Sequence, residues 1–274
     1  MKFLFRKTII VSLLAMFLPA ASFAAEYTIK YGHVGPVTSD DQVPGEFLKS
    51  FLEARSNGRI TVEIYPGAQL GNFRDMIEQV QLNTLELTHT TVGGIANFWP
   101  ELQVTDIPYM MNGDSIAEHI AQSSFFDDVR DEILKATGNV RLVAVGNTGR
   151  WRNFFTTKKL IKSAADMKGV KMRTINSPLQ IEFIKALGGN PTPVAWGELY
   201  TSLQTGVVEG TKNAATDIIP TKMYEAVKFV TLDEHAYLFG FWWMSDAWLQ
   251  SLPADLQDLV IDGIQQASMI QSDW

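Results

Sequence analysis

An α/β architecture is what this sequence predicts, on three observations. Short stretches of alternating apolar and polar residues recur along the chain, and stretches with apolar residues at three- and four-residue spacing fill the gaps between them. No glycine- and serine-rich linker, repeat or low-complexity run interrupts the series. The strand-like segments fall at residues 27–32, 60–65, 85–88, 140–145, 170–173 and 207–209. The second of these shows the period plainly, with Ile60, Val62 and Ile64 on one face. Helical spacing follows in Phe47, Phe51 and Leu52, in Met76, Ile77 and Val80, and again from Ile116 and Ile120 to Val129 and Leu134. This strand–helix–strand order predicts parallel strands joined by right-handed crossovers. Near the end, Leu256, Leu259, Val260, Ile264 and Ala267 share one helical face.

The amino terminus reads differently. Lys2, Arg6 and Lys7 precede an apolar run from Ile9 to Leu18, and small residues close the segment at Ser22, Phe23 and Ala24. That is the pattern of a secretory signal peptide cleaved after about Ala24, and the run is shorter than the roughly 20 residues a membrane-spanning helix needs. Losing those three basic residues takes the basic count from 23 to 20 against 30 acidic ones, a formal charge of −10 for the mature chain. So acidic a protein lacks the basic patch that nucleic acid or an anionic membrane would require. An anionic small molecule would have to be captured by local positive charge. The absence of cysteine is compatible with export, since a domain of this size can build a sufficient core without disulfides.

Residues 166–213, DMKGVKMRTINSPLQIEFIKALGGNPTPVAWGELYTSLQTGVVEGTKN, carry the most chemistry. Val170 and Met172 alternate with Lys171 and Arg173, so Arg173 points away from the apolar face of a short strand. Ser177 and Pro178 then form an N-cap and first helical position, and Leu179, Phe183, Ile184 and Leu187 recur at helical spacing until Gly188 and Gly189. Arg173 therefore stands at the carboxyl end of a strand beside a helix N-terminus, where open α/β sheets bind ligands. Its planar fork can hold a carboxylate through two parallel charge-assisted hydrogen bonds. A surface pair with Glu182 is the competing use. Thr91, in the glycine-bearing loop THTTVGGIANFWP, and His33, in YGHVGPVTSDD, follow first-half strands in the same way. Either can supply a hydrogen bond from the opposite side, or simply be solvated.

This block closely resembles the solute-binding proteins of tripartite ATP-independent periplasmic (TRAP) transporters, the DctP-like family. ADMKGVKMR resembles the family's DLKGxKxR strand, PTPVAWGELYTSLQTGVVEG its P-x-elYxALqxGvvDG block, and GTKNAATDI its GxENP turn. YPGAQLGNFRDMIEQVQLNTLEL and FWPELQVTDIPYMM are similar to two further family segments, so the likeness covers nearly all of the mature chain. Lys212 stands where glutamate is usual, Ala214 where proline is common, and Trp196 where phenylalanine is more frequent.

The resemblance implies a two-lobed periplasmic binding protein fold, with mixed sheets flanked by helices and a ligand cleft between the lobes. One lobe would be built from residues 25–150 with a return segment at 239–274, the other from 151–238. Family members usually continue for several tens of residues past this point, so C-terminal helices would be missing. The resemblance gives Arg173 the solute carboxylate. It puts Arg152, in GNTGRWRNFFTTKKL, in the same cleft, with Arg150 a competing assignment. Asn213 would bond solute or order the crevice, against plain turn chemistry, and Trp196 would form an apolar wall. Trp242 and Trp243 must face opposite ways in a strand, and with Trp151 they read better as packing residues.

The function implied is a periplasmic receptor that captures a small organic carboxylate and delivers it to the small and large membrane subunits of a TRAP transporter. No cofactor or metal is expected. Among His33, His89, His119 and His235 there is no HExxH pair, and the chain has no GxSxG elbow, cysteine nucleophile or phosphate-binding glycine loop. Glu78 and Glu86 lie too far apart for one helix face. A sensor for a signalling system, or an exported enzyme acting on a carboxylate, are the alternatives.

Overall fold

The computed structural model describes residues 25–273. The leader and its cleavage point, and the final Trp274, lie outside that range. The elements run β1 (Tyr27–Gly32), α1 (Gln42–Arg55), β2 (Ile60–Tyr65), α2 (Phe73–Gln81), β3 (Leu87–Thr90), α3 (Val92–Ile95), a 3-10 segment Pro100–Asp106, α4 (Asp114–Ala121), α5 (Phe125–Thr137) and β4 (Val140–Thr156). There follow β5 (Lys171–Thr174), α6 (Pro178–Ala186), β6 (Asn190–Pro193), α7 (Leu199–Thr205), β7 (Gly210–Ala214), α8 (Ala215–Ile218), β8 (Phe229–Ser245), α9 (Asp246–Gln250) and α10 (Ala254–Asp273).

The eight strands form one sheet in the order β2-β1-β3-β8-β4-β7-β5-β6. Parallel pairing holds for β1 with β2 and β3, and for β5 with β6 and β7. It fails in the middle, where β8 runs antiparallel to both β3 and β4, and β4 antiparallel to β7. The reason is topological. Strands β4 and β8 are each 17 residues long; one carries the chain from the first half of the sheet to the second and the other brings it back, so as neighbours they must point in opposite directions.

The two long strands bend where they cross. Pairing of β4 with β8 slips between Asn147 and Arg150, leaving Thr148 and Gly149 as a bulge of the kind that re-aims side chains beside binding sites. Gly149 has φ +89°, and a Cβ there would lie 2.4 Å from Thr216 Oγ1, so this turn admits only glycine without rearrangement.

Each half packs helices on both faces. In the first half, Trp243 and Phe241 join Phe126, Ile133 and Met76 on one face, while Trp242 joins Tyr31, Leu48, Val260 and Ile264 on the other. Both indoles are fully buried, on opposite faces as a strand requires, with Trp242 Nε1 donating to Gln271 Oε1 and Trp243 Nε1 to Thr90 Oγ1. Truncating either would cost about 3–5 kcal/mol. In the second half, adjacent Phe154 and Phe155 do the same, one against Met172 and α6, the other against Leu199 and Leu203 of α7. Helix α10 lies on α1, where Gly263 allows close approach to Leu48 and Leu52, and its Gln271 Nε2 donates to Asp41 Oδ1 at 3.1 Å.

Candidate functional site

Where the two halves of the sheet meet, the carboxyl end of β5, the bulge of β4, the end of β7 and the loop before α1 enclose a pocket. Its free volume is about 50 Å³, or about 630 Å³ when the space open to solvent is counted. The smaller figure describes the enclosed room, enough for a few water molecules. Hydrogen bonds cross between the halves beside it. Asn97 Nδ2 donates to Asn176 O at 3.1 Å, and Gln103 Oε1 accepts from Ser177 Oγ at 2.9 Å and Leu179 N at 3.0 Å.

Arg173 reaches this pocket because β5 alternates: Met172 enters the core of the second half while its neighbour turns to the other face. The guanidinium is 2 % exposed. Its Nε donates to Val194 O at 2.9 Å, its Cζ lies 5.7 Å from the Trp196 ring centroid, and its Nη2 is buried with no partner. Among the described residues no carboxylate lies within ion-pairing distance of it, and Asp217 supports its charge from farther off. Burial, and then the neighbouring Arg152, push its pKa down to about 9. Helix α6 begins as its sequence predicts, with Ser177 Oγ accepting from Gln180 N.

Arg152 faces the same pocket from β4 and is 4 % exposed. Unlike Arg173 it is anchored: Nη1 donates to Lys212 O at 3.3 Å, and Nε lies 3.5 Å from Asp106 Oδ1, too long for a good hydrogen bond but within ion-pairing range. Asp106 is itself held by Gln180 Nε2 at 2.7 Å. Arg150, the competing assignment, is half exposed and pairs with Asp114 at 2.9 Å away from the pocket. Lys212 is buried on the opposite face of β7 from Asn213, and burial holds its ammonium well below the usual lysine range.

Asn213 lines the pocket, yet both ends of its amide are engaged. Oδ1 accepts from Thr211 Oγ1, and Nδ2 donates to Asp217 Oδ2 at 2.9 Å. Its place is to order Asp217. Trp196 and Thr91 are wall residues. Thr91 occupies the N-cap position of α3 without using its hydroxyl as a cap. His33 is not on the wall. It is fully buried behind Asp41, its Nε2 3.1 Å from Gln42 Oε1 and its Nδ1 3.7 Å from Asp41 Oδ2, because the loop after β1 turns the acids inward and leaves the imidazole beneath them.

Sequence reasoning missed those acids. Asp40 and Asp41 precede α1, and Asp217 sits at the third position of α8; all three line the pocket. Asp41 is committed, accepting from His89 Nδ1 at 2.7 Å and Gln271 Nε2 at 3.1 Å. Asp40 accepts from Thr148 Oγ1 at 2.5 Å, and burial, followed by Asp41 and Asp217, raises its carboxyl well above the usual range. Asp217 also accepts from Ala214 N at 3.1 Å, and burial raises it to about 6. The paired acids at the end of YGHVGPVTSDD were the available signal.

Among the described residues no helix is long and apolar enough to cross a membrane, and no cluster of three or more histidines or acids could hold a metal ion. A family model described as "Bacterial extracellular solute-binding protein, family 7" matches residues 32–273. A solute-binding protein of Verminephrobacter eiseniae is 31% identical over 251 residues, 91% of this chain and 74% of that protein. Among solved structures, a TRAP periplasmic solute-binding protein from a Polaromonas species, bound to D-erythronate, superposes with a TM-score of 0.85 at 28% identity, covering 90% of this chain and 80% of that one. One from Roseobacter denitrificans with bound L-galactonate gives 0.86 at 28% identity, covering 91% and 82%.

Proposed function

The chain belongs to family 7 of the bacterial extracellular solute-binding proteins, the two-lobed receptors of TRAP transporters, and we propose that it captures a small organic acid by pairing the solute's carboxylate with Arg173. The observation that carries this is the state of that guanidinium. It lines the pocket, buried, held by Val194 O on one edge and backed by Trp196, with Nη2 unpartnered and no acid within ion-pairing distance among the described residues. A buried cation without a counter-ion is costly, and a carboxylate arriving between the lobes supplies the missing charge. The sugar acids bound by the two relatives support the same class of solute.

In this reading residues 25–150 with 239–274 form one lobe and 151–238 the other, hinged where β4 and β8 cross. An open form binds solute through Arg173, and the bonds of Gln103 and Asn97 to the second half favour closure, the ordinary hinge device of such receptors. Closure excludes water and strengthens the ion pair. Asp106 and Lys212 hold Arg152 in place as a second cationic wall. Thr91 offers a hydroxyl from the first lobe. The leader directs the chain to the periplasm and is cleaved after about Ala24. The loaded receptor delivers solute to the two membrane subunits of the transporter, and the protein performs no chemistry on it.

A thermal-shift screen of the folded protein against organic acids tests the reading, since a ligand of the native state raises its apparent stability. Binding of acids but not of their amides, lost in Arg173→Gln, is the expected result. Acids that bind Arg173→Gln as well as wild type would refute the carboxylate role.

A further inference from the structure

Asparagine followed by glycine occurs twice in the chain, at Asn57–Gly58 and at Asn112–Gly113, and the fold treats the two alike in exposure but not in backbone hydrogen bonding. We propose that Asn112 is a site of spontaneous covalent modification, converting in the folded protein to aspartate and isoaspartate through a cyclic imide, while Asn57 is held from it. The inference stands apart from the carboxylate reading of Arg173.

The chemistry needs no catalyst. The amide nitrogen of Gly113 attacks the side-chain Cγ of Asn112; a C–N bond forms, and the side-chain nitrogen leaves as ammonia with the proton that Gly113 N gives up. Water then opens the ring at either carbonyl, giving aspartate or, with the backbone rerouted through the side chain, isoaspartate. Glycine favours the attack because no Cβ shields its nitrogen and its backbone bends freely. The nitrogen must be able to lose its proton and approach Cγ, so an N–H already donated inside a rigid turn resists.

Asn57–Gly58 is such a turn. It follows α1, with Asn57 in the left-handed region at φ +53°, Asn57 N donating to Ala54 O at 3.3 Å and Gly58 N to Glu53 O at 2.9 Å. Those are the two bonds that close a helix in a Schellman turn, and the buried Leu48 and Leu52 anchor the helix itself. Asn112–Gly113 lies in the connection before α4 instead. Among the described residues neither Asn112 N nor Gly113 N donates to any acceptor, and the Asn112 side chain has no hydrogen-bond partner. Asn112 is exposed between two fixed points: the buried Met111, and Asp114, which accepts from Arg150 Nη1 at 2.9 Å and Trp151 Nε1 at 2.6 Å. Crowding does not separate the two sites, since a Cβ on either glycine would meet nothing within 4 Å. The hydrogen bonding of the glycine amide does.

Peptide mass spectrometry of the whole protein, incubated at mildly alkaline pH both native and in denaturant, tests this. The unfolded chain gives each site's intrinsic rate, so the neighbouring residues cancel. Folding is expected to slow Asn57 more than Asn112 by at least about threefold, in the range that one net backbone hydrogen bond is worth. A more acidic form should accumulate on ion exchange, take label from an isoaspartyl methyltransferase in the peptide holding Asn112, and fail to appear in Asn112→Ser while persisting in Asn57→Ser. Melting curves report whether each variant folds; if one does not, the wild-type peptides still decide. Equal slowing at the two sites, Asn57 converting first in the native protein, or Asn112 unchanged there while the unfolded chain converts, would overturn the proposal.

Discussion

The two arginines of the pocket stand on strands separated by β7 alone and are almost equally buried, yet they differ in their partners. Arg152 is bought off by Asp106, which Gln180 and the 3-10 segment hold in place. Arg173 has a carbonyl on Nε, a ring at its back and an orphaned Nη2. Equal burial therefore means different things: Arg152 has an acid within ion-pairing range although its Nε lacks a hydrogen bond, whereas Arg173 has no acid that close among the described residues. The comparison teaches that the partner of a buried cation, not its depth, separates scaffold from recognition.

The largest effect that would sharpen this contrast is on binding. Arg173→Ala and Arg173→Lys are each expected to weaken solute binding by roughly thirtyfold to several-thousandfold, the usual loss when one member of a buried charged pair is removed, with lysine unable to restore the fork. Wild-type affinity in either, measured by calorimetry, would break it.

Stability should show the reverse order. Arg152→Gln leaves Asp106 buried without its cation and should destabilise the fold by about 3–5 kcal/mol, read from denaturant unfolding. Arg173→Gln should leave the ligand-free protein as stable as wild type or more so. The sign follows from linkage: a cation whose pKa falls to about 9 in the folded state is held less tightly there than in the unfolded chain, so its charge opposes folding below that pH and the opposition is relieved only as pH rises beyond it. Equal losses in the two variants would erase the distinction.

The acids of the pocket give a smaller, pH-dependent effect. Asp217 titrates at about 6 in the folded protein against 3.8 in the reference state, facing Asp40, Asp41 and Arg152. The folded state then binds the proton more tightly, and this carboxyl makes stability fall as pH rises between those two values, with the cost fully present above about 6. Asp217→Asn should flatten that part of the melting temperature against pH profile; an unchanged slope would count against it. Least is expected of Trp196→Leu, which removes the ring behind Arg173 and should weaken binding by a few-fold, about 0.5–1 kcal/mol.

Much of this was legible in the residues. The alternation around Arg173, the Ser177–Pro178 helix start and the opposed faces of Trp242 and Trp243 are local facts, and local periodicity states them. Strand β3 begins two residues later than its pattern suggests. Strand β7 was displaced, because Gly210–Ala214 is buried throughout yet mostly polar or small, so no apolar alternation marks it. The full span of β4 and β8 was hidden by the glycines and bulges at their crossing. His33 was chosen over Asp40 and Asp41 because a loop sequence does not say which of its polar side chains faces inward. The approach of Asp40 to Asp217 is a tertiary event across 177 residues of chain, beyond any pattern.

A crystal structure of the protein loaded with an acid found in the screen tests the central claim most directly. The account predicts both carboxylate oxygens within hydrogen-bonding distance of the Arg173 guanidinium, Nη2 included. A solute bound in the pocket with its carboxylate elsewhere, and Nη2 still without a partner, would contradict it.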